Sequence, residues 1–161
     1  MIKDLKEIGK NEVELFGGKA INLGLLMQNG FNVPSGFCIS TKFEKLNDNI
    51  IKKIFEKFDA LKSAVSVRSS ATVEDLSQTS FAGLFNTFLR IKTKDELIEA
   101  INKCKKSVFS EEVKAYKEEK KITNIKMAVI VQKMIEADFS GVMFTLEPVD
   151  KKYLLIELAT G

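Results

Sequence analysis

Apolar residues first recur at helical spacing just after Gly17-Gly18, where Ala20, Ile21, Leu23, Leu25, Leu26 and Met27 form a broad stripe that stops at Asn29-Gly30. A glycine closing a periodic apolar run predicts a helix end there. The turn-forming stretch Phe31-Asn32-Val33-Pro34-Ser35-Gly36 follows, and residues 37–40 read as a short strand. Phe43, Leu46, Ile50, Ile51, Ile54, Phe55 and Phe58 again keep helical spacing and predict a second helix over residues 41–58. Residues 64–68 alternate small or branched apolar with polar positions and predict a strand, as do residues 85–91 beyond a polar stretch at 69–80. Residues 94–109 and 111–120 carry the charge and apolar spacing of two surface helices. The last third is strand-dense, at 127–134, 141–145 and 153–158. The pattern predicts an α+β fold, a mostly antiparallel sheet with flanking helices.

Two prolines and nine glycines leave no linker-like stretch, and no internal repeat divides the chain, so residues 1–161 read as a single domain. The chain stops at Ala159-Thr160-Gly161, directly after an apolar strand. That abrupt stop predicts an incomplete domain, with the remainder of the fold outside these residues.

Composition narrows the chemistry. An apolar share of 45% with 29% charged residues is the balance of a globular chain and excludes disorder and low-complexity material. No apolar run approaches the roughly 18 residues of a membrane span, and the start MIKDLKEIGK lacks the apolar segment of a signal peptide, so a cytoplasmic protein without a membrane partner is expected. The 25 basic and 22 acidic residues are interleaved, and short clusters such as Lys103-Cys104-Lys105-Lys106 lie beside glutamates. They read as solvated helix faces, and no nucleic-acid partner is expected. Histidine is absent, and Cys38 and Cys104 stand alone. Zinc ligation, Ser-His-Asp or Cys-His triads and a phosphohistidine on this chain are thereby excluded. The remaining tools are Lys, Arg, carboxylates, hydroxyls and backbone amides.

Four stretches offer those tools, each with a plainer alternative. Gly17-Gly18-Lys19 opens a helix, where unpaired N–H groups and the dipole favour phosphate; the same glycines also serve as an ordinary turn. Arg68, next to Ser69 and Ser70 at a predicted strand end, suits phosphate oxygens, or pairs with Glu74 or Asp75. Thr79-Ser80-Phe81-Ala82-Gly83, with Thr87 beyond, has the composition of a loop able to fold over a polyphosphate, or of a surface loop. Gln132-Lys133-Met134-Ile135 closes a very apolar strand whose end could take the flat face and edge of adenine, or is simply core reaching the surface. Taken together, the four supply what an ATP cleft needs.

In order along the chain, Phe16-Gly17-Gly18-Lys19-Ala20 with Leu23-Gly24, Val33-Pro34-x-Gly36-Phe37, Val67-Arg68-Ser69-Ser70-Ala71 with Glu74-Asp75-Leu76 and Ser80-Phe81-Ala82-Gly83, and Val131-Gln132-Lys133-Met134 with Ser140-Gly141-Val142-Met143-Phe144-Thr145 resemble the N-terminal nucleotide-binding region of the phosphoenolpyruvate synthase and pyruvate phosphate dikinase family, of ATP-grasp type. Glu147 stands where that family usually has Asp before Pro148, and Leu84-Phe85-Asn86 replace its usual polar and acidic residues after Gly83.

The resemblance implies an ATP-binding fragment of a phosphotransferase. That enzyme would phosphorylate a histidine on a separate domain, from which the group passes to pyruvate, or to an antibiotic in relatives of rifampin phosphotransferase type. It implies that Lys19 and Arg68 hold ATP phosphates and act catalytically. Gly83 and Thr87 belong to the phosphate loop, Gln132 lines the adenine pocket, and the Met134 and Ile135 backbone forms the hinge at the adenine edge. Mg²⁺ would be held by carboxylates outside this chain, and the implied partners are the phosphohistidine and acceptor domains. These residues alone are expected to be inactive. The competing expectation is a non-catalytic interaction module, a homodimer through the C-terminal edge strand included.

Overall fold

The computed structural model describes residues 1–43, 45–73, 85–120, 122, 124–147 and 151–160. Gly83 and the small-residue stretch around it lie outside them.

Strand β5 (Met127–Lys133) is apolar on both faces, and six of its seven residues are buried. A strand of that kind belongs in the middle of a sheet. It pairs antiparallel with β2 (Gly36–Ile39) on one side and β3 (Val65–Ala71) on the other. Strands β1 (Ile2–Asp4) and β4 (Thr87–Ile91) complete the order β1-β2-β5-β3-β4, and every pairing among the described residues is antiparallel.

Helices cover both faces. Helix α2 (Asp48–Leu61) buries Ile54 and Phe58, four residues apart; α3 (Lys94–Lys106) buries Leu97, Ala100, Ile101 and Cys104, the i, i+3, i+4, i+7 stripe. Both pack against Phe37, Ile39, Val65, Val67, Val129 and Val131 on one side of the sheet. Helix α1 (Val13–Gln28) packs Phe16, Ala20 and Ile21 against Cys38, Ala128 and Ile130 on the other. Helix α4 (Glu111–Lys120) contributes Val113 to a smaller cluster with Ala71, Val108, Ile125 and Met127.

The α+β expectation holds, with adjustments. The second helix begins at Asp48 rather than near residue 41, because the Asn47 side chain accepts a hydrogen bond from the Ile50 N–H (3.0 Å) and caps it there. Phe43 and Leu46 still pack on the core, but from a loop. The last two strands, β6 (Phe139–Phe144) and β7 (Leu155–Thr160), pair with each other instead of joining the main sheet. Among their residues only Leu155 is partly buried; Phe139, Met143, Ile156 and Leu158 share one exposed, uncharged face.

A candidate phosphate and nucleotide site

The site is built where α1 meets β3. Along β3, Val65 and Val67 point to the α2–α3 side, so Ser66, Arg68 and Ser70 face α1. Register then sorts the neighbours. Arg68 pairs with Ile130 of β5 on one side and Thr87 of β4 on the other, and Ser66 pairs with Gln132. Arg68, Thr87 and Gln132, spread over 65 sequence positions, thus share one face of the sheet.

Gly17 interrupts α1 with φ 73° and ψ 165°, so the helix proper starts after it. A Cβ on Gly17 would lie 2.6 Å from Ser70 Oγ, so the break is pressed directly onto β3. Ser70 Oγ in turn accepts a hydrogen bond from the Ala20 N–H (3.1 Å), capping the helix from a neighbouring strand. Lys19 is half-buried, and its Nζ donates to the Ser69 carbonyl at 2.8 Å, one residue along β3 from Arg68. The two cations expected to hold phosphate are therefore brought to adjacent positions of one strand.

Arg68 supplies the most telling detail. Its Nε is buried and has no hydrogen-bond partner among the described residues. Leaving a charged donor unsatisfied in a fold costs about 1–3 kcal/mol or more, so a group of this kind points to a missing acceptor. The pairing with Glu74 or Asp75 weighed from sequence falls outside the described residues.

The adenine-side residues sit farther along β5 and are partly engaged within the protein. Gln132 is 5% exposed and its Nε2 donates to the Pro34 carbonyl at 2.9 Å, tying the turn before β2 to β5. The Met134 N–H donates to the Ala64 carbonyl (2.9 Å) and is therefore not available to a base edge. Ile135 is 55% exposed. Thr87 is exposed at the start of β4, beside Arg68. Ser70 is the residue whose role sequence reading understated: its hydroxyl was visible beside Arg68, but its use as a cap for α1 depends on a contact across 50 positions.

Among the described residues there is no group of three or more His, Cys, Asp or Glu side chains able to hold an ion. The side chains described do not fit a resident Mg²⁺.

Comparison with known proteins bears on this geometry. The family model described as pyruvate phosphate dikinase, AMP/ATP-binding domain, matches residues 42–161. The chain is 32% identical to a probable phosphoenolpyruvate synthase of Archaeoglobus fulgidus, with 98% of this chain and 28% of that protein covered. It is likewise 32% identical to a phosphoenolpyruvate synthase of Aeropyrum pernix (98% and 26% covered), and 30% identical to a rifampicin phosphotransferase of Bacillus cereus (99% and 24% covered). The chain spans less than a third of the length of these curated relatives. The alignment to the first runs over 208 positions against the 161 residues here, so that relative carries residues inside the matched region that this chain lacks. With the family model covering most of the chain, this protein belongs to the pyruvate phosphate dikinase AMP/ATP-binding domain family.

Proposed function

We propose that this domain binds the triphosphate of ATP between the start of α1 and β3, with Lys19 and Arg68 as the phosphate-holding cations. Thr87 and Gly83 act with them in the phosphate loop. Gln132, Met134 and Ile135 border the base, the Met134 carbonyl and the Ile135 N–H facing its edge. The observation that carries the reading is the buried Arg68 Nε, without a hydrogen-bond partner among the described residues, one position along β3 from the carbonyl that holds the Lys19 ammonium. A phosphate oxygen satisfies that donor, and Arg and Lys together offset the charge that builds during phosphoryl transfer.

In the parent enzyme a phosphoryl group passes from ATP to a histidine. The 161 residues contain none, so that histidine belongs to a separate domain, and an acceptor domain takes the group onward. Relatives named phosphoenolpyruvate synthase and rifampicin phosphotransferase support phosphoryl transfer as the class, with pyruvate or an antibiotic as the acceptor. Mg²⁺ accompanies the nucleotide and is held by groups other than the side chains described. No helix among the described residues is long and apolar enough to cross a membrane.

The test is calorimetric titration of the full chain with ATP. Weak binding is expected, on the order of millimolar (about 4 kcal/mol). Arg68→Ala and Lys19→Ala should each weaken it roughly tenfold or more, the loss that goes with one charge-assisted hydrogen bond. Unchanged affinity in both variants would remove the assigned phosphate roles.

A second reading, a non-catalytic module that associates through the β6–β7 ribbon, is favoured by one observation: the apolar residues of that ribbon are exposed, Leu158 at 78% and Phe139 at 73%. Association that is insensitive to nucleotide would support it.

A further inference from the structure

A cavity of about 460 Å³, with neither Lys19 nor Arg68 in its lining, opens between the end of α3, the segment after β2 and the start of β5. That volume is within the range of small-ligand sites, roughly 300–1,000 Å³. Its charged lining consists of Lys105 and Lys106 from the last turn of α3 and Lys126 from the residue preceding β5, and no acidic side chain lines it among the described residues. Its apolar lining includes Phe43, Phe109 and Met127.

Lysines in the last turn of a helix have an ordinary explanation, since they complement the negative end of the dipole. That explanation covers Lys105 and Lys106 but not Lys126, which reaches the same cavity from another element. Lys126 has a carboxylate within reach, Glu14, only at 3.6 Å and outside the lining. Neither does the dipole explain Phe109, 71% exposed at the cavity rim.

We propose that this cavity binds a small organic anion with a flat apolar body, the anionic group among Lys105, Lys106 and Lys126 and the body against Phe43, Phe109 and Met127. Lysine ammoniums are point charges that accept phosphate or carboxylate in many orientations, and the aromatic rings supply area that an inorganic ion would not use.

The test uses the full chain, labelled for amide NMR and titrated with 1-naphthyl phosphate and, separately, with inorganic phosphate. Saturable shifts at the amides of Lys105, Val108, Phe109, Lys126 and Met127 are expected with the naphthyl ester. Lys105→Gln with Lys126→Gln should raise its dissociation constant roughly tenfold or more. Lys19→Ala should leave it unchanged, which separates this cavity from the nucleotide site. Phe109→Ala, a change at an exposed position, should weaken the ester and not inorganic phosphate. Shifts confined to residues 66–70 and 132–135, the absence of saturable shifts, equal binding of the two probes, or indifference to both the lysine and the Phe109 changes would each overturn the proposal.

Discussion

Gly17 and Ser70 are in contact backbone to backbone, so closely that a methyl group on Gly17 would meet both the Ser70 carbonyl and its hydroxyl. The contact clamps the start of α1 to β3 and sets where Lys19 reaches the strand. With φ at 73° and ψ at 165°, Gly17 also occupies backbone space that other residues enter only at a cost of about 1–3 kcal/mol. Gly17→Ala should therefore lose at least about 3 kcal/mol in urea unfolding, strain and collision adding together. Ser70→Ala removes only the cap and should lose about 1 kcal/mol. Equal losses in the two variants would mean that the close approach is not what holds α1 in place.

Helix α2 ends on Lys62, whose φ of 50° puts it in the left-handed region, at a position where helices usually carry glycine. The residue is exposed. Lys62→Gly should raise stability by about 1 kcal/mol, measured as a higher urea midpoint at unchanged m-value. A lower midpoint would show that the Lys62 side chain contributes more than its backbone costs.

Both thiols are buried. Burial pushes Cys104 up to about 12, against the opposing pull of the Lys19 ammonium, and burial raises Cys38 as well. In the unfolded chain a thiol ionises near 8.5. Because the folded values are the higher ones, the contribution to stability is complete below the unfolded value and is lost as pH rises from about 8.5 toward 12, at up to about 1.4 kcal/mol per pH unit for each thiol. Urea unfolding at pH 7 and pH 10 should show that loss, and Cys104→Ala should reduce it. A thiol reagent at pH 8 should label neither cysteine quickly until urea is added; rapid native labelling would contradict the burial.

The β6–β7 ribbon exposes Phe139, Val142, Met143, Leu146, Tyr153, Leu154, Ile156 and Leu158. Phe139, Met143, Ile156 and Leu158 lie together on one face of the pair, and a contiguous exposed apolar face of this kind marks an interaction surface. A two-stranded ribbon is also marginal in isolation. Sedimentation velocity should show concentration-dependent association, and Met143→Lys with Leu158→Lys, neighbours on one face of the pair, should abolish it. A wild-type chain that stays monomeric at high concentration would remove the homodimer from consideration.

Much of the fold was legible from local pattern because local pattern caused it. Helix α3 announces itself by the spacing of the four apolar residues it buries, and Thr93 and Glu96 cap it reciprocally in the structure. The run from Met127 to Val131 could only be a strand covered on both sides. The onset of α2 was misread since Phe43 and Leu46 do face the core, at helical spacing, without being helical; the cap at Asn47 outweighed the periodicity. Strand β1, three residues long, has no pattern of its own and exists by pairing Ile2 with Ile39 and Asp4 with Phe37.

The site divides along the same line. Residue chemistry alone determined that phosphate, if bound, would be met by lysine and arginine, and that no histidine of this chain could carry the phosphoryl group. Only the tertiary structure decided that Arg68 and Thr87 stand side by side, that Lys19 leans on Ser69, that Ser70 caps a helix from another element, and that Gln132 and Met134 spend hydrogen bonds on Pro34 and Ala64. The reason is physical: side-chain type and period 2 or 3.6 are properties of neighbours along the chain, whereas register between strands and the unmet hydrogen bond of Arg68 Nε arise from segments that meet only once the sheet is assembled.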